Sequence, residues 1–129
     1  MPILNVRALP QKDPKKIEEA LKKTCVAIAE AYGCKSEQVW GTWQEIQPGF
    51  YVEGDSRADV QPADTHPPIG QLLCFEGKSP EVVEKVLLAA SQTLSRELGI
   101  PENIFISYEE TKSGFVIAGN GVIRLKARK

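Results

Sequence analysis

Histidine occurs once in this 129-residue chain, methionine once, tryptophan twice and cysteine three times. Cys25, Cys34 and Cys74 show no paired metal-ligand spacing, so no metal site is expected and the three read as reduced thiols with packing roles. No stretch comes near the roughly 18 unbroken apolar residues that a membrane helix requires. An excess of either charge is missing too. Sixteen Lys and Arg against 17 Asp and Glu leave a net charge of −1, which offers no field for nucleic acid or an anionic membrane. The opening run Met-Pro-Ile-Leu-Asn-Val-Arg lacks the basic start and long apolar segment of a secretory signal. The expectation is a soluble, cytoplasmic protein with neither nucleic acid nor membrane as a partner.

What is present is an internal repeat, which fixes architecture before any local reading. A shift of 66 places Pro2 on Pro68, Ile3 on Ile69, Lys12 on Lys78, Pro14 on Pro80 and Gly33 on Gly99. Further on the shift becomes 65, placing Glu45 on Glu110, Gly49 on Gly114, Phe50 on Phe115 and Gly54 on Gly119. One residue has been lost or gained in the turn between. The chain reads as one domain, 1–129, made of two pseudo-repeats, 2–54 and 68–121, joined by a connector, 55–67.

Each repeat opens with an apolar run too short for a helix, Ile3 to Leu9 and Ile69 to Phe75, which predicts a strand. Asp13-Pro14 and Ser79-Pro80 then put a capping side chain ahead of a proline suited to the first helical position. Ile17, Leu21, Cys25, Ile28 and Tyr32 recur at helical spacing, as do Val83, Val86, Leu87, Ala90, Leu94 and Leu98. Gly33 and Gly99 fit left-handed helix ends, and second strands follow at Val39 to Ile46 and Ile104 to Glu109. A helical crossover makes the two strands of each repeat parallel and right-handed. The fold class is α/β (α+β): two β-α-β repeats forming a four-stranded mixed sheet with two helices on one face. The other face is expected to be apolar and covered in an oligomer.

Pro2 is the strongest chemical signal. Aminopeptidase removes an initiator methionine before a small residue such as proline and leaves a free secondary amine. Such an amine has an ordinary pKa near 8, and an apolar pocket or a nearby cation lowers it toward the value useful to a general acid or base. Pro68 occupies the matching position, but its nitrogen is an internal amide without a basic lone pair.

Met-Pro on the first strand, the duplicated β-α-β unit, Glu76-Gly77-Lys78-Ser79 before the second helix and the glycine-flanked Phe50 and Phe115 together resemble the tautomerase superfamily, most of all its 4-oxalocrotonate tautomerase branch. The resemblance covers nearly the whole chain. It implies a cofactor-independent isomerase in which Pro2 moves a proton on a small enol or keto carboxylate, working as a homotrimer. Dehalogenase, hydratase and decarboxylase relatives, or a non-catalytic binding protein, are the alternatives on the same scaffold.

The same resemblance implies that Lys12 and Lys78 stand where the family's carboxylate-binding arginine lies. Lysine keeps that charge but loses the two-pronged geometry. A second family arginine is replaced by Trp40 in one half and by Ile104 or Phe105 in the other, so Arg7 and Arg57 become candidate replacements. Phe50 and Phe115 match the aromatic that packs over the site, Phe115 being favoured next to Pro2. Trp43, Glu45, Tyr108 and Glu110 lie where second-strand side chains could reach a ligand. His66, in a proline-rich connector, reads as exposed and incidental, and the basic tail from Arg124 to Lys129 as a solvated end. A ferredoxin-like RNA-binding module has the same element order, but Gly70 to Gly77 lacks the basic and aromatic composition it needs.

Overall fold

The computed structural model describes residues 2–125. Its main elements are β1 (Ile3–Ala8), α1 (Lys16–Tyr32), β2 (Trp40–Glu45), a small hairpin of β3 (Val52–Glu53) and β4 (Ser56–Arg57), β5 (Ile69–Phe75), α2 (Pro80–Leu98) and β6 (Phe105–Thr111). The four long strands form one mixed sheet in the order β2-β1-β5-β6. β1 runs parallel to β2 and β5 parallel to β6, while the two central strands, β1 and β5, are antiparallel.

The repeat reappears in the ladder register. Ile3 pairs with Trp40 in the first half and Ile69 with Phe105 in the second. The offset is 66 between the first strands (69 − 3) and 65 between the second (105 − 40), as the sequence shift requires. Matching bonds precede the strands: Trp40 N–H donates to Pro2 O and Phe105 N–H to Pro68 O, both at 3.0 Å.

Alternation along the strands decides which side is covered. Leu4, Val6, Ala8, Gly70, Leu72 and Cys74 are buried on the side packed against the helices. There they meet Ile28, Val86, Ala90 and Leu94, all fully buried, so truncating Leu72 to alanine should cost about 2–5 kcal/mol. The other face is not uniformly apolar. Ile3 and Leu73 occupy one end, but Asn5, Arg7 and Gln71 are exposed along the middle, and Thr42 Oγ1 donates to Asn5 Oδ1 at 2.5 Å.

Helix ends follow the sequence unequally. Gly33 and Gly99 both end their helices in the left-handed conformation, with φ of 89° and 71°. Ser79 caps α2 by accepting from Val82 N–H at 3.3 Å. Asp13 instead accepts from Lys15 N–H at 3.2 Å, so Pro14 and Lys15 form a turn and α1 begins at Lys16. The most buried positions of α1 are Ala20, Thr24, Ile28, Ala29 and Tyr32, with Ile17, Leu21 and Cys25 only half-buried. α1 also packs directly against α2.

The connector is better tied down than its composition suggests, and His66 is neither exposed nor incidental. Only 1% of it is accessible. Its ring nitrogens lie 2.9 Å from Ser56 O and 3.1 Å from Thr65 Oγ1, and its backbone N–H donates to Glu53 Oε1. Tyr51 packs edge-on against the ring and donates its hydroxyl to Pro67 O at 2.6 Å. The β3–β4 hairpin thus closes over His66, an arrangement that local composition could not reveal. Among the described residues, no helix is long and apolar enough to cross a membrane.

Candidate active site

Pro2 lies at the start of β1 and is almost wholly buried. Its neighbour Ile3 pairs with Trp40 on one side and Leu73 on the other. Beside Ile3 opens a recess of about 180 Å³, lined mainly by Trp40, Leu73, Thr111, Val116 and Ile117. The last two belong to the glycine-flanked segment after β6, which forms the recess roof.

That roof is held in place by main-chain bonds and by one side chain of the Glu76-Gly77-Lys78-Ser79 run. Phe115 N–H donates to Lys112 O at 3.0 Å, Arg124 N–H to Val116 O at 2.8 Å, and Ile117 bridges Ile123. Gly114 supplies the positive φ of 84° that the turn needs, as Gly49 supplies 91° in the other half. Glu76 Oε2 accepts from Ser113 N–H at 2.6 Å, fastening the start of the roof to the end of β5.

The antiparallel pairing of β1 and β5 divides the sequence-predicted residues into two groups. Lys78 and Phe115 share the Pro2 end of the sheet, because β5 and β6 finish there. Lys12, Phe50, Arg7 and Arg57 lie at the opposite end, near Pro68. Arg57 pairs with Asp59 at 2.7 Å and rests against Gly49, while Arg7 is exposed on the open face. Phe50 and Phe115 are 76% and 79% exposed, so neither covers a cavity within one chain. Trp43 and Tyr108 pair with Val6 and Leu72 and pack from the edge strands against the core beneath the helices. Glu45 and Glu110 follow on that same side, exposed.

Arg124 is exposed, as a solvated end implies, and its guanidinium lies 5.5 Å from the centre of the Phe75 ring, at the Pro2 end. Proximity in the ladder, not local sequence, reveals it. Lys126 to Lys129, the rest of that basic tail, lie outside the described residues. Lys78 Nζ sits 4.4 Å over the Tyr32 ring, so its charge is held on the helix side of the same end. Burial pushes the Tyr32 phenol up from its ordinary pKa, with smaller effects from Cys74 and Cys34. Tyr108 is pushed much further in the same direction, first by burial and then by the Cys74 thiol that its hydroxyl faces. That hydroxyl makes no well-formed hydrogen bond. All three cysteines are free thiols.

No protein-family model and no curated protein matches the sequence. Solved structures do. Pt0534 inactivated by 2-oxo-3-pentynoate superposes with a TM-score of 0.83 at 17% identity over 94% of both chains. The chain has a tautomerase-superfamily fold. A fused 4-OT wild-type symmetric trimer matches this fold at TM-score 0.79 and 20% identity, again over 94% of each chain. Malonate semialdehyde decarboxylase shares it at 0.73 and 17% identity over 92% of each.

Proposed function

We propose that this protein is a tautomerase-type isomerase whose Pro2 amine, freed by removal of Met1, transfers a proton on a small enol or keto carboxylate. The observation that carries this reading is the burial of Pro2 next to Ile3, which lines an apolar-walled recess at the end of the sheet where Lys78 and Arg124 also lie. Apolar walls disfavour the charged amine and lower its pKa, leaving a share of neutral base at cellular pH. In this reading Arg124 is the cation that meets the substrate carboxylate, Lys78 being turned over Tyr32 on the helix side, and Phe115 covers the site only in the assembled oligomer.

The working unit in this reading is a homotrimer in the cytoplasm. Its support is that Trp40 and Phe105, at equivalent positions, are 53% and 57% exposed, and the equivalent pair Phe50 and Phe115 is more so. Four exposed aromatics in repeat-related pairs suit a contact surface that both halves present to other subunits.

The test is an intact mass of natively expressed protein followed by phenylpyruvate and 2-hydroxymuconate ketonisation assays with Pro2→Ala alongside. Loss of the Met1 mass and of turnover in the variant supports the mechanism; unchanged turnover removes proline from it. The likeness to malonate semialdehyde decarboxylase motivates a parallel assay for carbon dioxide release. Turnover in neither assay turns the reading toward a binding protein.

A further inference from the structure

The row of side chains beside Pro2 has its own copy at the other end of the sheet, and the two differ in charge. On the face away from the helices, Ile3 is flanked by Trp40 and Leu73, and Leu73 in turn by Glu109. At the same offsets of 66 and 65, the Pro68 end sets Ile69, Phe105, Arg7 and Gln44 in those four places. Arg7 pairs there with both Ile69 and Gln44. Isoleucine and an aromatic residue recur at both ends. Where one end has arginine and glutamine, the end that starts with Pro2 has leucine and glutamate. The scaffold accepts a cation at this register position, because Arg7 stands exposed in it, and the Pro2 end does without one.

The consequence falls on the recess of about 180 Å³. Half-buried Leu73 lines it with Ile3, Trp40, Val116 and Ile117, and among the described residues none that lines it is charged. A dry cavity of roughly 150 Å³ with leucine, isoleucine and phenylalanine walls takes up benzene, so this space suits a phenyl-sized tail. A carboxylate pushed into it would lose its hydration without gaining a cation, and Glu109 beside Leu73 would repel it. Arg124, exposed and stacked on Phe75, is left to meet one carboxylate outside the apolar walls.

We infer that Leu73 sets the specificity of this recess, admitting enol or keto acids with a single carboxylate and an apolar or aromatic tail and turning away dicarboxylates. The inference rests on the reading of the Pro2 recess as the substrate site. Binding of unreactive acids tests it apart from turnover.

The test is an amide-resolved NMR titration of the full chain with 3-phenylpropionate and with adipate, neither of which has a keto or enol group. Phenylpropionate is expected to shift the amides of Trp40, Leu73 and Ile117 saturably and to bind about tenfold more tightly than adipate. Leu73→Arg, which copies Arg7, should reverse that order, with adipate gaining about tenfold. Leu73→Gln, which adds polarity without charge, should weaken phenylpropionate about tenfold and leave adipate no tighter. Equal or tighter binding of adipate by the wild type, shifts confined to Arg7, Ile69 and Phe105, no saturable shift, or wild-type selectivity in either variant, each checked as folded by its amide dispersion, would overturn the inference. Failure of the proton-transfer reading shows elsewhere, as unchanged turnover in Pro2→Ala.

Discussion

Ile3 and Leu73 are register partners on antiparallel strands. That pairing sets the beginning of one repeat against the end of the other's first strand. Pro2 consequently shares its surroundings with Glu76, Phe115 and Arg124 from the C-terminal half, while Lys12 and Phe50 from its own half lie far away.

The two hairpin aromatics should therefore behave unequally. Phe115→Ala is expected to lower kcat/KM for an enol carboxylate about tenfold, and Phe50→Ala substantially less. Both side chains are more than three-quarters exposed, so unfolding free energies should stay within about 0.5 kcal/mol of wild type. Equal kinetic losses in the two variants would contradict the placement of Phe115 as the cover.

Glu76 acts on the recess through its roof. Replacing it with glutamine keeps the shape but weakens the 2.6 Å bond from Ser113 N–H, at a cost of about 1.5 kcal/mol. Hydrogen exchange should accelerate from Ser113 to Ile123 and stay unchanged in β1. Uniform acceleration across the sheet would mean that Glu76 supports the whole fold instead.

Alkaline pH should destabilise the protein through Tyr108 and Cys74. Burial is the main cause that raises both pKa values, from ordinary values of 10.0 and 9.0 respectively. In the fold both groups keep their protons where the unfolded chain releases them. The native state then binds more protons than the unfolded one, so stability is full below about pH 9 and falls as pH rises further. Tyr108→Phe removes a buried hydroxyl without a well-formed partner, so it should leave the pH 7 melting temperature unchanged or raised and make the alkaline decline shallower. Melting curves from pH 7 to 11 measure both effects. A clear loss of stability at pH 7 would show that the hydroxyl has a stabilising partner.

His66→Ala should cost about 3 kcal/mol in urea unfolding, because it empties a fully buried position and strands the acceptor Ser56 O. A cost below about 0.5 kcal/mol would return the connector to the status of a loose linker.

The scaffold was legible because its signals are local and occur twice. Strand runs and the change of offset from 66 to 65 agree with the ladder register, and Gly33 and Gly99 with the helix ends. The layout of the candidate site was legible only in part. Pro2 is marked by its own chemistry, but the antiparallel centre of the sheet separates it from Lys12 and brings it near Arg124. His66 was hidden for a similar reason: its partners lie on the β3–β4 hairpin or in the connector itself, and polar composition there gives no sign of burial. The start of α1 shifted because Asp13 closes a turn rather than a cap.

Pro68 O receives Phe105 N–H just as Pro2 O receives Trp40 N–H, so the silent proline keeps the backbone duties of its twin. On the proposed chemistry, a circular permutant that starts at Pro68 and joins the present ends would swap their fates. Pro2 would be locked into a peptide bond, Pro68 would gain the basic nitrogen, and reactivity would migrate to the opposite end of the sheet without a single side chain being altered.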